Sequence, residues 1–142
     1  MELSGTVRIA RPLGQVFEAW VDLERAAEYA DFVVERRRLT DGPIGRGTRF
    51  AAVDRIPGRD IRYTIEIVAF EPRDRVAATW SDPLSGGWDA VFEAVPEGTE
   101  LRFDACLDPG GLPGLLLPLL KPWAVRRTAR TLARFRDWLE AG

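Results

Sequence analysis

The polar side chains this chain can turn toward its own interior are few. Strand and helix parity bring Tyr63, Thr128, Thr131 and Asp54 inward, with Tyr29 and Arg127 in reach of the same space. Histidine is absent and Cys106 is the one cysteine. That removes Ser–His and Cys–His pairs, zinc sites and the commonest general base at neutral pH. Chemistry here would rest on carboxylates, tyrosines, arginines or ordered water. No metal and no cofactor are expected. General acid–base catalysis needs proton donors and acceptors within about 3 Å of the reacting atoms. This inventory is thin for it. Glu66, Asp89 and Asp104 have outward parity and read as solvated charges of a sheet face. The glycines of GRGT and EGT read as turn residues, not as a phosphate loop.

Composition limits the partners. The 142 residues fit one domain spanning 1–142, with 46% hydrophobic and 30% charged residues, as in an ordinary folded protein. Net charge is −2 with signs interspersed, which argues against nucleic acid. Lys121 is the sole lysine, a bias that GC-rich coding explains. MELSGTVRIARP lacks an apolar stretch of the secretory type, and a cytoplasmic location is expected. The run DPGGLPGLLLPLLKPW is too short and too interrupted for a membrane span, so no integral membrane segment is expected.

The positioning elements follow from periodicity. A strand is predicted over 5–10, then a helix through PLGQVFEAWVD with Pro12 in its first turn. A second short helix is predicted through LERAAEYA, with Asp22 as its N-cap. VVERRRL reads as a charged edge strand. TRFAAVDRI, RDIRYTIEIVAFEP, DRVAATWSD, GGWDAVFEAV and GTELRFDACLD read as a meander of strands joined by short turns. A helix over 122–140 closes the chain. The class is α+β, an antiparallel sheet burying one face on that helix.

Alternation assigns the inner face. Leu101, Phe103, Ala105 and Leu107 point inward, as do Tyr63, Ile65, Ile67 and Ala69. Val76, Ala78, Trp80, Trp88, Ala90 and Phe92 join them, with Phe50 and Ala52. The helix presents Ala124, Thr128, Thr131, Leu132, Phe135, Trp138 and Leu139 on one stripe, small at its start and bulky at its end. Two accounts fit the small end: close approach of helix to sheet, or a cavity. Hydroxyls favour the cavity unless they bond backward to the helix. The leucines of the interrupted run, Leu116 and Leu120 among them, either cover the cavity mouth as a lid or form a kinked first part of the helix. Arg127 either holds a ligand carboxylate or phenolate or lays its stem along apolar surface with its head in water. Trp123 either walls the entrance or packs under the leucines.

VRIARPLGQVFEAWVDLERAAEYA, GPIGRGTRF, YTIEIVAFEPRDRVAATW, FEAVPEGTELRF and RTARTLARFRDWLE, in this order and spacing, resemble the SRPBCC superfamily. These are the START-like, Bet v 1-like helix-grip proteins that include bacterial polyketide cyclase/dehydrase members. The resemblance implies a curved seven-stranded antiparallel sheet wrapped on the long C-terminal helix, two short helices after strand 1, and a cavity for an apolar or aromatic molecule. The expected lining is Tyr63, Ile65, Ala78, Trp80, Trp88, Ala90, Phe92, Phe103 and Ala105 from the sheet. Leu116, Leu120, Trp123, Ala124, Arg127, Thr128 and Thr131 complete it from the C-terminal part. Binding or carriage of an apolar small molecule is the leading expectation. An aromatase/cyclase-like enzyme and docking of the 112–120 leucine segment on a partner or membrane are the alternatives. A homodimer stays open.

Overall fold

The computed structural model describes residues 1–81, 85–108 and 117–142. In chain order these form β1 (Glu2–Ile9), α1 (Leu13–Val21), β2 (Val33–Arg38), β3 (Arg49–Ile56) and β4 (Arg59–Glu71). Then come β5 (Arg75–Ser81), β6 (Ser85–Val95), β7 (Gly98–Asp108) and α2 (Leu117–Ala141). The second short helix of the sequence reading is a 3-10 helix at Leu23–Glu28. Asp22 precedes it without a side-chain capping bond.

One seven-stranded antiparallel sheet has the order β1-β7-β6-β5-β4-β3-β2. Six consecutive strands form a meander, and β1 returns beside β7. The connection from β1 to β2 therefore crosses the whole sheet and carries α1 and the 3-10 helix over its concave side. Short turns make the meander possible. Pro57 and Gly58 join β3 to β4, and Gly58 has a φ of 91° that a side chain would strain.

Two bulges shift side-chain parity. In β4 the pairing slips between Ile67 and Ala69. Phe70, not the expected Ala69, then turns inside, and its ring stands 5.5 Å from that of Phe17. In β2 the slip lies between Val33 and Glu35, and it leaves Arg36 on the inner face opposite Ala52.

The helix α2 starts at Leu117 and runs through Pro122, earlier than the expected start at Pro122. Pro122 forgoes one bond, to the carbonyl four residues back. Ala124, Leu132, Phe135 and Leu139 form the buried stripe of α2. The helix lies closest to β1, where a Cβ added at Gly5 would stand 2.7 Å from the Leu132 side chain. Its far end is tied to the end of β1. Ala10 N–H donates to Glu140 Oε2 at 2.8 Å, and Arg11 Nη2 donates to the Glu140 carbonyl at 2.5 Å. On the other flank Asp31 faces Arg130 and Arg134 at 3.4 and 3.3 Å. A curved antiparallel sheet thus grips the C-terminal helix, the helix-grip arrangement.

Candidate functional site

The inner face of the sheet changes character along its strands. At one end Phe50, Ile67, Val76, Ala90, Leu101 and Phe135 are all 0% exposed. Trp20 drops from α1 into the middle of the grip. Its ring makes edge-on contacts with Trp88, Phe92, Phe103 and Phe135 at centroid distances from 5.1 to 6.4 Å. Its Nε1 has no hydrogen-bond acceptor among the described residues. At the other end Tyr63, Trp80, Trp88, Phe103, Ala105 and Leu107 point the same way but stay partly exposed. This partly exposed, ring-lined end, which Trp20 of α1 reaches at Trp88 and Phe103, is the mouth of the grip.

The expected lining residues fall into two groups. Ile65, Ala78, Ala90 and Phe92 lie in the closed core with Phe17 and Trp20. Tyr63, Trp80, Trp88, Phe103 and Ala105 belong to the partly exposed end of the inner face, and Leu120, Arg127, Thr128 and Thr131 of α2 are likewise partly exposed. Trp123 is exposed, with the Arg127 guanidinium 5.0 Å from its ring, and Ala124 is buried. Leu116 and most of the 112–120 segment lie outside the described residues; Leu119, just inside them, is 73% exposed. The Thr128 hydroxyl donates to the Ala124 carbonyl at 2.9 Å. Its methyl lies 3.8 Å from where a Cβ on Gly5 would be. The backward bond satisfies this hydroxyl without a cavity.

A polar group closes one side of the mouth. Arg36 Nη1 donates to Asp54 Oδ1 at 2.6 Å and Arg36 Nη2 to Tyr63 Oη at 3.2 Å. Tyr63 Oη donates to Asp54 Oδ2 at 2.5 Å, which completes a triangle. The side chains of Arg36 and Asp54 are only 7% and 9% exposed. Burial pushes the Tyr63 phenol well above the usual tyrosine range, and Asp54 adds to this against Arg36. Tyr63 therefore stays protonated, its proton directed at Asp54. Arg36 was not among the expected site residues, because VVERRRL reads as a charged edge strand with no inward set, and it is the β2 bulge that sets Arg36 opposite Ala52 on the inner face. An inward arginine in a charged edge strand gives no sequence signal without that bulge.

Arg127 faces this triangle from α2. Its guanidinium lies 3.8 Å above the Phe32 ring and 5.0 Å from the Trp123 ring centroid. Burial lowers its pKa from the arginine value, and Asp54, Tyr63 and Asp31 oppose that shift. It remains a cation. Among the described residues it has no carboxylate within ion-pair distance and no hydrogen bond. The group can therefore grip and orient an oxygen-bearing molecule. With its phenolic proton committed to Asp54, it is poorly arranged to move protons. Among the described residues no three metal-ligating side chains converge.

An open depression of about 570 Å³ lies across β1, β7, β6 and β5, bordered by outward Ser4, Val68, Ala77 and Cys106 and also by Trp88 and Ala105. Short side chains and sheet curvature account for it. Two of its three rim acids are engaged, Asp89 by Arg75 at 2.6 Å and Asp104 by the Ser4 hydroxyl at 2.7 Å. The ring-lined mouth has the converging polar groups that this depression lacks, and it is the better candidate site.

Solved structures share this architecture. TTHA0849 from Thermus thermophilus superposes with a TM-score of 0.85 at 19% identity, covering 99% of this chain and 98% of that one. The di-domain ARO/CYC BexL from the BE-7585A biosynthetic pathway gives 0.73 at 19% identity, covering 96% of this chain and 49% of that one. Ara h 8.0201 gives 0.68 at 14% identity, covering 100% and 99%. At these identities the likeness is one of fold. No curated protein matches the chain by sequence. No described helix is long and apolar enough to cross a membrane. The sequence model of one family spans residues 1–140, and the chain belongs to that family, described as polyketide cyclase/dehydrase and lipid transport.

Proposed function

We propose that this protein binds an apolar, ring-bearing small molecule between the open end of its sheet and the first half of α2. One observation carries the reading. Tyr63, Trp80, Trp88 and Phe103 share the inner face with fully buried residues yet keep exposed surface, where a monomer would gain by covering such rings. The family description, which pairs cyclase/dehydrase with lipid transport, agrees with a pocket of this kind. Cyclisation is the second reading, favoured by the shared fold with an aromatase/cyclase. The Arg36–Asp54–Tyr63 triangle speaks for binding, since its phenolic proton is already bonded to a carboxylate.

The test pairs two overpacking changes with a neutral fluorescent probe, phenylnaphthylamine. Ala105→Phe is expected to abolish saturable binding while leaving unfolding within about 1 kcal/mol of wild type, since Ala105 is only partly buried and the added ring displaces little packed core. Ala78→Phe, in the closed core, is expected to destabilise by about 1–3 kcal/mol or more. A wild-type protein that never binds the probe would end the reading. Turnover of a poly-β-keto model substrate would replace it with the cyclase.

A further inference from the structure

We infer that the ligand of this site is an anion: an apolar, ring-bearing body with one carboxylate, phenolate or similar oxyanion, received by Arg127. The inference rests on the pocket reading above and adds the charge of its occupant. Two guanidiniums, Arg36 and Arg127, flank this side of the mouth, and one carboxylate, Asp54, lies between them. Arg36 and Asp54 neutralise each other at 2.6 Å, and Tyr63 stays an uncharged phenol. Among the described residues of this group, the positive charge without a carboxylate at ion-pair distance is that of Arg127. Neighbouring arginines of the same helix are not in this position, since Arg130 and Arg134 both face Asp31.

The geometry of Arg127 says which part of it is available. Phe32 covers one region of the guanidinium at 3.8 Å and Trp123 stands at 5.0 Å. The rings hold the planar cation but accept none of its in-plane N–H bonds. Those donors have no acceptor among the described residues, and partial burial between Phe32 and Trp123 strips part of their water. A planar fork of free donors in a partly dry, ring-lined mouth matches a planar oxyanion on an apolar body. A neutral ligand would leave that cation uncompensated.

A matched pair of probes tests this. Anilinonaphthalene sulfonate and phenylnaphthylamine share the same rings and differ by one sulfonate. Wild-type protein is expected to bind the anionic probe roughly tenfold or more tightly than the neutral one, as a charge-assisted contact allows. In Arg127→Gln the ratio of the two affinities is expected to fall close to one. Arg127→Lys, which keeps the charge without the fork, should retain part of the preference. Arg126→Gln, on the exposed side of the helix, should leave the ratio as in wild type. A wild-type ratio near one, or a ratio that Arg127→Gln leaves unchanged, overturns the anion inference while the pocket reading stands. Failure of both probes to bind overturns both. If Arg127→Gln does not fold, the wild-type ratio and Arg127→Lys decide the matter.

Discussion

At the scale of residues, the Arg36–Asp54–Tyr63 triangle is the most exacting part of the molecule. Two charges of opposite sign are held almost out of water, and each satisfies the other. Removing one leaves the other buried and uncompensated, which typically costs about 3–5 kcal/mol. Asp54→Asn should fall in that range by denaturant unfolding, because Arg36 then faces a neutral amide. Tyr63→Phe removes one hydrogen-bonding partner of each neighbour while keeping the ring, and about 1–2 kcal/mol is expected. If Asp54→Asn costs no more than Tyr63→Phe, the pair is wetter than its geometry implies. Phe135, at 0% exposure beneath Trp20 and Tyr29, belongs to a different regime. Its truncation to Ala should cost about 3–5 kcal/mol through the cavity alone.

At the scale of elements, glycine positions separate strain from collision. Gly98 opens β7 at a φ of 147°, and a Cβ there would run into the Ile9 carbonyl and stand 2.9 Å from the Arg11 backbone nitrogen. Gly42, at 89°, has nothing within 4 Å. Gly42→Ala should therefore cost only the conformational penalty, about 1–2 kcal/mol. Gly98→Ala should cost clearly more and should loosen β1, seen as faster amide exchange along Glu2–Ile9. Equal costs would mean that the turn, not the backbone contact, governs Gly98. The elements themselves were legible wherever alternation ran unbroken. The inward sets of β5, β6 and β7, including Trp80, Trp88 and Phe103, stand where parity puts them. Parity fails one residue beyond a bulge, so Phe70 was hidden; Arg36 was hidden because its charged edge strand offers no alternation to read, while Tyr63 and Asp54 lie on strands whose alternation runs unbroken up to them. The start of α2 was hidden for another reason. A proline near a helix N-terminus reads equally as a first-turn residue or as one tolerated a turn later.

At the scale of the whole molecule, the two tyrosines make stability depend on alkaline pH. Tyr29 is buried beneath Phe135 and Trp138, and Tyr63 lies in the polar triangle. Burial is the largest cause raising both phenols, so each holds its proton in the folded state beyond the pH at which an unfolded chain has lost it. A folded-state pKa raised above the unfolded one leaves stability fully present below the unfolded value, near pH 10. Above it, the unfolded chain sheds protons that the folded one keeps, and stability falls as pH rises. Each tyrosine should remove about 1.4 kcal/mol per pH unit, and the two together about twice that. The window is unusually clean, since the chain has no histidine and Lys121 as its one lysine. Unfolding free energies measured from about pH 9 to pH 11.5 should show the decline, and Tyr29→Phe or Tyr63→Phe should each remove about half of its slope. A flat profile through the same range would mean that neither phenol is held neutral. A slope unchanged in Tyr63→Phe alone would mean that its proton is not kept by the triangle, and that water reaches the mouth more freely than its burial implies.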